Sequence, residues 1–454
     1  MKKKHIYMMG IGGISMGGIA KILVNYGYKV SGSDMVENDE VKELENLGIK
    51  VNIGQVKENI TDDIDLVVYT AAISDTNEEL VEAKRRGIET IERGVFLGEL
   101  TLNFEDCIGV AGTHGKTTTS SMVSCVFIEA KKDPSIQIGA NLTQIGGNYR
   151  VGQSDYFIIE ACEYKDSFQN FKQRSAIITN IDNDHLDYFK NIDNISKSFE
   201  KYVSHLPKDG LLVLNMDNDR CYDLRNYTKA NVITVSKSNK EADYTVDNIK
   251  YDDRGCPSYD VYKKGKKVTR VILNVRGEHN ILNSLEAFAI CDWYDIDSKD
   301  IVNGLASFTG ASRRMEYKGK FNGANVYDDY GHHPTEIEAT ATAMLKEKHN
   351  ESYAIFEGHT FSRFYEHMDS FAKSLSKFDH IIVIDIYAAR EENIFGVKPE
   401  DLVDRLVKKG NDAIYISDYD EIKKYLKERV KEGDLIITLG AGNVTKIASK
   451  LVED

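Results

Sequence analysis

The feature that most constrains this chain is a glycine-rich loop, residues 109–119, between an apolar stretch and a helical one. Residues 107–110 predict a buried strand, and residues 120–130 predict a helix. A strand, a glycine-rich turn and a helix N-terminus direct backbone N–H groups and the positive end of the helix dipole at one point, where an anion is stabilised. The loop therefore predicts an α/β layer with a phosphate-binding edge.

The residue types in this loop favour a nucleoside triphosphate. Lys116 is placed to reach the β- and γ-phosphates, and the hydroxyl of Thr117 is placed to ligate Mg²⁺. Val110 occupies the position, six residues before the lysine, where a standard phosphate loop has glycine. A strand–helix turn without a ligand is the alternative, but Gly-Lys-Thr in this context is far more specific than a glycine-rich turn alone.

Composition limits the remaining classes of function. The 454 residues predict about three domains, and the net charge of −14 argues against a general binder of nucleic acid or anionic membranes. No apolar run approaches the ~20 residues of a membrane-spanning helix. Six scattered cysteines without a Cys-x-x-Cys pair indicate neither a disulfide framework nor a cysteine zinc site. We expect a cytoplasmic protein that is a monomer or a weak homodimer.

Strand and helix patterns alternate along the whole chain and predict three α/β domains in series. We place their boundaries at 1–105, 106–314 and 315–454. Short alternating stretches within 244–273 are typical of antiparallel hairpins, which predicts a small antiparallel addition to the central P-loop ATPase-type domain. The two outer domains are expected to be Rossmann-like. In the last domain the spacing predicts helices over 335–348 and 365–375.

A second glycine turn opens the chain. Residues 5–9 predict a strand, Gly10 and Gly12 allow a tight turn into a helix, and Asp34 ends the following strand. Such a turn lets the backbone approach a diphosphate, and an acid at that position binds ribose hydroxyls. Ser15 replaces the usual third glycine, so a βα turn that binds nothing remains the alternative.

Ionisable residues follow two further predicted strands. Glu160 ends the strand 156–160, Glu163 lies three residues later, and His185 follows the strand 176–179. A metal-binding acid belongs at the carboxyl end of a strand beside a phosphate loop, which makes Glu160 a better ligand candidate than Glu163. Mg²⁺ prefers oxygen ligands, so a hydrogen-bonding role is the alternative for His185.

Two segments after residue 275 carry candidate nucleotide contacts. His279 and Asn283 lie four residues apart on one face of a predicted helix, where an imidazole stacks on a purine and an amide reads the adenine edge. Arg313, at the second domain boundary, is suited to neutralise charge on a γ-phosphate. A helix cap at Asn280 and a solvated linker at Arg313 are the alternatives.

Residues 328–336 form a dense run of ionisable groups between a strand and a helix. The spacing of His332 and His333 does not match a zinc-protease pattern, and we predict a polar catalytic loop with Thr335 at the helix N-terminus. His359 and Arg363 follow another strand, and arginine is the natural bidentate partner of a small carboxylate.

Taken together, these motifs resemble the Mur ligase family in an ordered series across the whole chain. The series comprises Gly-Ile-Gly-Gly at 10–13, Ser-Gly-Ser-Asp at 31–34, Gly-Thr-His-Gly-Lys-Thr-Thr at 112–118, Glu-Ala-Cys-Glu at 160–163, the segments 180–185, 279–283 and 313–314, Asp-Asp-Tyr-Gly-His-His-Pro-Thr-Glu at 328–336, and 359–363. The string at 328–336 is the sharpest marker of the branch that adds alanine. This family also lacks the first glycine of the standard phosphate loop, which accounts for Val110.

The resemblance implies a role for each motif. It implies a UDP-substrate site formed by Gly10, Gly12, Gly13, Ser15, Asp34 and Thr70. It implies an ATP site formed by Gly112, Thr113, His114, Gly115, Lys116, Thr117, Thr118, His279, Asn283 and Arg313. It implies Mg²⁺ ligation by Thr117, Glu160 and His185, and an amino-acid site formed by Asp329, His332, His333, His359 and Arg363. The catalytic residues would be Lys116, Glu160, His185, Arg313 and His333.

The implied reaction is an ATP-dependent ligation of L-alanine to the lactyl carboxylate of UDP-N-acetylmuramate through an acyl phosphate. Four alternatives stay open on the sequence. A recycling ligase that adds a whole peptide shares most motifs, whereas a folylpolyglutamate-synthase-like ligase lacks the first domain. A catalytically dead nucleotide-responsive binding protein conflicts with the intact Lys116, Thr117, Glu160 and His185. An NAD-dependent dehydrogenase leaves the phosphate loop unexplained.

Overall fold

The computed structural model describes residues 5–70, 72–252, 254–389 and 391–453, without the side chain of Asp187. Residues 1–4 of the predicted first domain therefore lie outside the described part. Three β-sheets with flanking helices form two compact units. The first unit comprises Met1–Val246, Val261–Thr269 and Asn283–Ser307, and the second comprises Asp247–Asp260, Arg270–Leu282 and Phe308–Asp454.

The first sheet is parallel, with the strand order β3-β2-β1-β4-β5. Its strands are β1 His5–Met9, β2 Lys29–Asp34, β3 Lys50–Ile53, β4 Leu66–Tyr69 and β5 Glu89–Glu92. Its helices are α1 Ile14–Asn25, α2 Asp39–Asn46, α3 Glu78–Arg85 and α4 Arg93–Thr101. Strand β1 lies at the centre of the sheet and is buried along its whole length. The turn that follows it lies at the edge formed by the carboxyl ends of the strands.

The second sheet has ten strands in the order β15-β14-β13-β12-β11-β10-β6-β9-β7-β8. The strands are β6 Asp106–Ala111, β7 Ser135–Leu142, β8 Gly147–Arg150, β9 Tyr156–Glu160, β10 Ser175–Ile178, β11 Leu211–Asn215, β12 Asn231–Ser236, β13 Tyr244–Tyr251, β14 Pro257–Lys263 and β15 Lys266–Ile272. The helices are α5 Lys116–Glu129, α6 Leu186–Phe189, α7 Ile192–Ser204, α8 Asp219–Asp223, α9 His279–Trp293 and α10 Ser298–Ser307. Strand β6 runs parallel to its neighbours β9 and β10, so the carboxyl ends of these three strands lie at one edge.

The third sheet has the order β16-β17-β21-β18-β19-β20, with β16 antiparallel to β17 and the other pairs parallel. The strands are β16 Glu316–Phe321, β17 Ala324–Asp329, β18 Ser352–Phe356, β19 His380–Val383, β20 Asp412–Tyr415 and β21 Leu435–Leu439. The helices are α11 Pro334–Met344, α12 Phe361–Glu366, α13 Met368–Leu375, α14 Pro399–Lys408, α15 Tyr419–Arg429 and α16 Thr445–Glu453.

Two helices of the third sheet differ from the sequence prediction. The helix predicted over 365–375 is two helices, because the backbone of His367 leaves helical geometry between α12 and α13. Helix α11 begins at Pro334, and its N-cap is His333 rather than Thr335. The ring Nδ1 of His333 accepts a hydrogen bond from the backbone N–H of Thr335, while Glu336 accepts from the N–H of His333.

Helix α1 packs tightly against the hairpin β7–β8 within the first unit. The amide of Asn148 donates to the carbonyl of Ile14 at 2.9 Å. A Cβ atom at Gly18 would lie 2.6 Å from Oε1 of the buried Gln137, so α1 and β7 approach closely at this glycine. Among the described helices, none combines the length and the apolar character needed to cross a lipid bilayer.

Candidate functional site

The turn after β1 is held in shape by the end of β2. The backbone N–H of Gly12 donates to the carboxylate of Asp34 at 2.9 Å, and a Cβ at Gly12 would lie 2.8 Å from a methyl group of Val41. Gly10 has a positive φ of 79° and lies beside Thr70, whose methyl carbon would be 3.3 Å from a Cβ at position 10. The structure thus gathers four of the six predicted UDP-substrate residues around one turn.

The other two predicted residues lie at the start of α1. Gly13 is its N-cap residue, in extended geometry and without a side-chain cap, so the first-turn N–H groups of the helix are left for another acceptor. The hydroxyl of Ser15 accepts a hydrogen bond from Arg93 at 3.1 Å. This arrangement offers backbone N–H donors to an acceptor, and Arg93 is a nearby cation that sequence reasoning missed.

The phosphate loop leaves β6 and is packed on the end of β10. Gly112 has a φ of 132°, and a Cβ there would lie 2.0 Å from the hydroxyl oxygen of Thr179. The N–H of Thr113 donates to the carbonyl of Asn180, and the N–H of His114 donates to the side-chain oxygen of Asn180. These hydrogen bonds attach the loop to the end of β10 before α5 begins.

Lys116, the first residue of α5, is surrounded by acceptors. Its Nζ donates to the carbonyl oxygens of Gly112 and Thr113 at 2.6 and 3.0 Å, and lies 3.0 and 3.1 Å from the two carboxylate oxygens of Glu163. Burial disfavours the charged ammonium, but the nearby Glu163 and Glu160 outweigh it and raise the pKa of Lys116. These carboxylates therefore favour the charged form of the lysine.

Two of the three predicted metal ligands lie at the shared strand edge. Thr117 is buried in the first turn of α5 beside Thr118, and Glu160 ends β9 opposite Val110 of β6. One carboxylate oxygen of Glu160 accepts from the N–H of Gly139 at 2.8 Å, which orients the group. A hydroxyl and a carboxylate are oxygen donors, the kind that Mg²⁺ prefers.

His185 precedes α6 in the left-handed backbone region, with a φ of 53°. Its ring is stacked obliquely on Tyr164 at 4.7 Å, and its backbone N–H donates to Asp184. The structure thus places His185 on the segment that follows β10. Its ring has an aromatic partner in addition to any metal role.

The predicted adenine residues lie in the first turns of α9. Asn283 packs closely against the phosphate loop. A Cβ atom at Gly115 would lie only 2.7 Å from Oδ1 of Asn283. His279 is exposed, and its ring lies over Gly277. One turn further, Glu286 is fully buried 3.5 Å from the hydroxyl of Thr119, and burial raises its pKa well above the ordinary value. Sequence reasoning missed Glu286, since nothing in a helix pattern marks it.

The polar loop after β17 is organised by Asp329. Its carboxylate accepts from the N–H groups of Met315 and Gly331, both at 2.8 Å, and from the hydroxyl of Thr340 at 3.1 Å. Asp329 is 4% exposed, and burial raises its pKa. The buried carboxylate of Asp329 therefore fixes the backbone of this loop through its hydrogen bonds.

Arg313 is built into the same edge of the third sheet. Its guanidinium donates to the carbonyl oxygens of Gly440 and Ala441, and its Nε lies 3.3 Å from the fully buried carboxylate of Asp328. Its backbone has a positive φ of 60°, and its carbonyl accepts from the N–H of Tyr330. The structure thus gives Arg313 partners inside the second unit, which a solvated linker residue would not have.

The remaining predicted amino-acid residues cluster nearby. The rings of His332 and His359 are 5.2 Å apart, and Arg363 of α12 donates to Nδ1 of His359 at 3.0 Å. His333 is held by its capping role and by a ring contact with His367 at 4.9 Å. The structure therefore brings all five predicted residues to the carboxyl ends of β17 and β18.

Glu357 lies directly after β18 and completes this edge. Its carboxylate accepts from the N–H groups of Asn443 and Val444, and burial raises its pKa. A Cβ at Gly440 would lie 2.9 Å from Glu357. The sequence does carry a signal for this contact. Glu357 is an acid directly after the buried strand β18, and Gly440 begins a glycine turn after the buried strand β21.

Comparison with known proteins shows which family the sequence matches. Three family models match in order: the "Mur ligase family, catalytic domain" over residues 5–105, the "Mur ligase middle domain" over 110–291 and the "Mur ligase, glutamate ligase domain" over 313–442. A UDP-N-acetylmuramate–L-alanine ligase from Agathobacter rectalis is 46% identical over 452 residues, covering 100% of this chain and 98% of that protein.

Two solved structures are similar over nearly the full length. A UDP-N-acetylmuramate–alanine ligase from Thermotoga maritima superposes with a TM-score of 0.85 at 27% identity, covering 99% of this chain and 98% of that one. A murein peptide ligase from Psychrobacter arcticus has a TM-score of 0.74 at 26% identity with the same coverage. The predicted three-domain α/β architecture is confirmed, whereas the boundaries and the site residues stay predictions.

Proposed function

The chain belongs to the Mur ligase family, and from this premise we propose that it joins L-alanine to UDP-N-acetylmuramate with hydrolysis of ATP to ADP and phosphate. The observation that carries the proposal is the full-length sequence identity of 46% to a ligase named for these two substrates. The order of the family models supports the domains proposed at 1–105, 106–314 and 315–454. A reaction that consumes ATP and a UDP-sugar is consistent with the cytoplasm as its location.

The first sheet would bind the UDP moiety at the turn after β1. Gly10, Gly12 and Gly13 let the backbone approach the diphosphate, and the uncapped first turn of α1 offers N–H donors to it. Asp34 holds the turn through Gly12, so its role in substrate binding includes shaping the glycine backbone. Thr70 lines the turn, and Ser15 with Arg93 flanks it.

The phosphate loop would bind ATP, with Lys116 on the β- and γ-phosphates. Thr117 and Glu160 supply oxygen ligands for Mg²⁺, and His185 is the third candidate. When bound, Mg²⁺ neutralises charge on the transferring phosphoryl group. Asn283, packed against Gly115, and His279 on the same helix are the proposed adenine contacts.

The chemistry requires an activated carboxylate, because a lactyl carboxylate is a poor electrophile. The carboxylate oxygen attacks the γ-phosphorus of ATP, ADP leaves, and an acyl phosphate forms. The amine of L-alanine then attacks the acyl carbon, the amide bond forms, and inorganic phosphate leaves. His332, His333, His359 and Arg363 are the proposed amino-acid site, in which Arg363 binds the carboxylate of alanine.

Phosphate release from ATP tests this proposal. The full chain is assayed with UDP-N-acetylmuramate and, in separate reactions, L-alanine, glycine, L-serine or a stem tripeptide. We expect the highest kcat/KM with L-alanine and a Lys116→Ala variant without measurable turnover. Activity with the tripeptide alone would overturn the assignment in favour of a recycling ligase. Absence of turnover with all four acceptors would instead indicate a nucleotide-responsive binding protein.

A further inference from the structure

The ammonium group of Lys116 has three hydrogens, and three acceptors account for them. They are the carbonyl oxygens of Gly112 and Thr113 and the carboxylate of Glu163. Two of these acceptors belong to the phosphate loop itself. In this conformation the lysine is folded back on its own loop, so its hydrogen bonds must be exchanged before it can donate to a phosphate oxygen.

Glu163 is suited to hold this conformation. It is 2% exposed, and both of its carboxylate oxygens lie within 3.1 Å of Nζ of Lys116. The Coulomb attraction between the two charges is larger here than in an exposed ion pair, because water screens it less. Its backbone is anchored as well, since the carbonyl of Glu163 accepts from the N–H of Asp166 at 2.9 Å.

Glu160 has a different environment, although it lies only three residues away. Its carboxylate is partly exposed at the strand edge and is oriented by the N–H of Gly139. Glu160 is thus placed to face a metal ion, whereas Glu163 is turned toward the lysine. The carboxylates of Glu160 and Glu163 therefore differ in their hydrogen-bond partners, although they lie on one short segment.

We propose that Glu163 is a latch that competes with the triphosphate for Lys116. The proposal rests on the ATP site assigned under Proposed function and deepens it. Without nucleotide, Glu163 holds the lysine folded back on the loop. Nucleotide binding exchanges the hydrogen bonds of Lys116 for bonds to phosphate oxygens and brings a second set of negative charges close to Glu163. The latch therefore lowers nucleotide affinity, and it lowers affinity for ATP more than for ADP.

Two isosteric substitutions, which we expect to change nucleotide affinity in opposite directions, test this assignment. Calorimetric titrations use ATP and ADP, each with and without Mg²⁺, on the full-length wild type, Glu163→Gln and Glu160→Gln. For E163Q we expect the Kd of ATP to fall about tenfold, because one negative charge near the phosphates has been removed. The gain is expected with and without Mg²⁺, and it is smaller for ADP. For E160Q we expect the tightening by Mg²⁺ to be lost.

Several outcomes would overturn the latch. Unchanged or weaker ATP binding by E163Q would show that Glu163 supports the nucleotide complex. Glu163→Asp keeps the charge and guards against an unfolded E163Q; it should leave the Kd within about twofold of wild type, and a tenfold gain would contradict the charge argument. If wild type binds neither ATP nor ADP, the proposed function fails, and the latch fails with it. Binding by wild type without a gain in E163Q refutes the latch alone.

Discussion

Arg313 offers the sharpest test of how the third sheet is built. Replacing it with alanine removes the cation that lies 3.3 Å from the fully buried carboxylate of Asp328, together with two hydrogen bonds to the turn at Gly440 and Ala441. Within the described part of the chain, the hydroxyls of Thr438 and Thr445 then remain as hydrogen-bond donors to Asp328. Removing one partner of a buried ion pair costs about 3–5 kcal/mol.

The guanidinium side is 22% exposed, which places the expected cost at the lower end, about 3 kcal/mol. For a domain of about 150 residues this corresponds to a fall of roughly 6–12 °C in melting temperature. The measurement is a thermal melt of Arg313→Ala without ligands, followed by circular dichroism. Arg313→Lys, which keeps the charge but not the fork of donors, should fall between wild type and alanine.

Arg314 is the matched control, because it is the adjacent arginine and is similarly exposed. Its nearest carboxylate oxygen, on Glu336, is 3.9 Å away, and its guanidinium lies over the ring of Tyr330. Such a pair contributes about 0–1 kcal/mol. If R313A and R314A melted at the same temperature as wild type, Arg313 would not be a structural clamp. A loss of turnover in a fully stable R313A would then favour the predicted contact with the γ-phosphate.

Three further predictions concern other parts of the molecule. Gly112→Ala should abolish ATP binding in a calorimetric titration, because its Cβ would lie 2.0 Å from the hydroxyl oxygen of Thr179 at a φ of 132°. Burial raises the pKa of Glu79 above its ordinary value of 4.5, so the folded chain binds this proton more tightly and loses stability as pH rises through the interval above 4.5. Glu79→Gln should flatten that slope in denaturant unfolding across pH 4.5–7, and a slope equal to wild type would refute the assignment. Arg363→Ala should raise the KM for L-alanine about tenfold or more while leaving the KM for ATP within about twofold, since Arg363 and its partner His359 lie in the proposed amino-acid site.

Much of the fold was predictable where buried strands are continuous apolar runs. The strands β1 and β9 have the bounds that the sequence predicts, because a glycine follows the first run and an acid ends the second. The glycines at 112 and 115 were predictable as loop positions, and both have positive φ. The strand order was beyond the sequence, since it depends on pairings between distant segments such as β6 and β10.

The parts that were missed involve partners that are far apart in sequence or unusual in type. The hairpin β7–β8 is short and rich in polar residues, and its register shifts between Gln137 and Leu142. The N-cap at His333 was missed because imidazole is not among the usual capping side chains, although Pro334 at the first helical position was a readable sign. The pairing of Lys116 with Glu163 joins residues 47 positions apart. The motif at 160–163 identifies both acids, but it does not indicate whether Glu160 or Glu163 faces the lysine.

The contact between Gly18 and Gln137 joins two segments that are far apart in the sequence. Gly18 lies in α1, which follows the turn after β1, and Gln137 lies two residues before Gly139, whose N–H orients Glu160. A larger residue at position 18 would displace the side chain of Gln137, because its Cβ would lie 2.6 Å from Oε1 of that glutamine. Packing therefore couples the two positions. We expect an exchange of residues 1–105 between relatives to be better tolerated when residue 137 is exchanged with them.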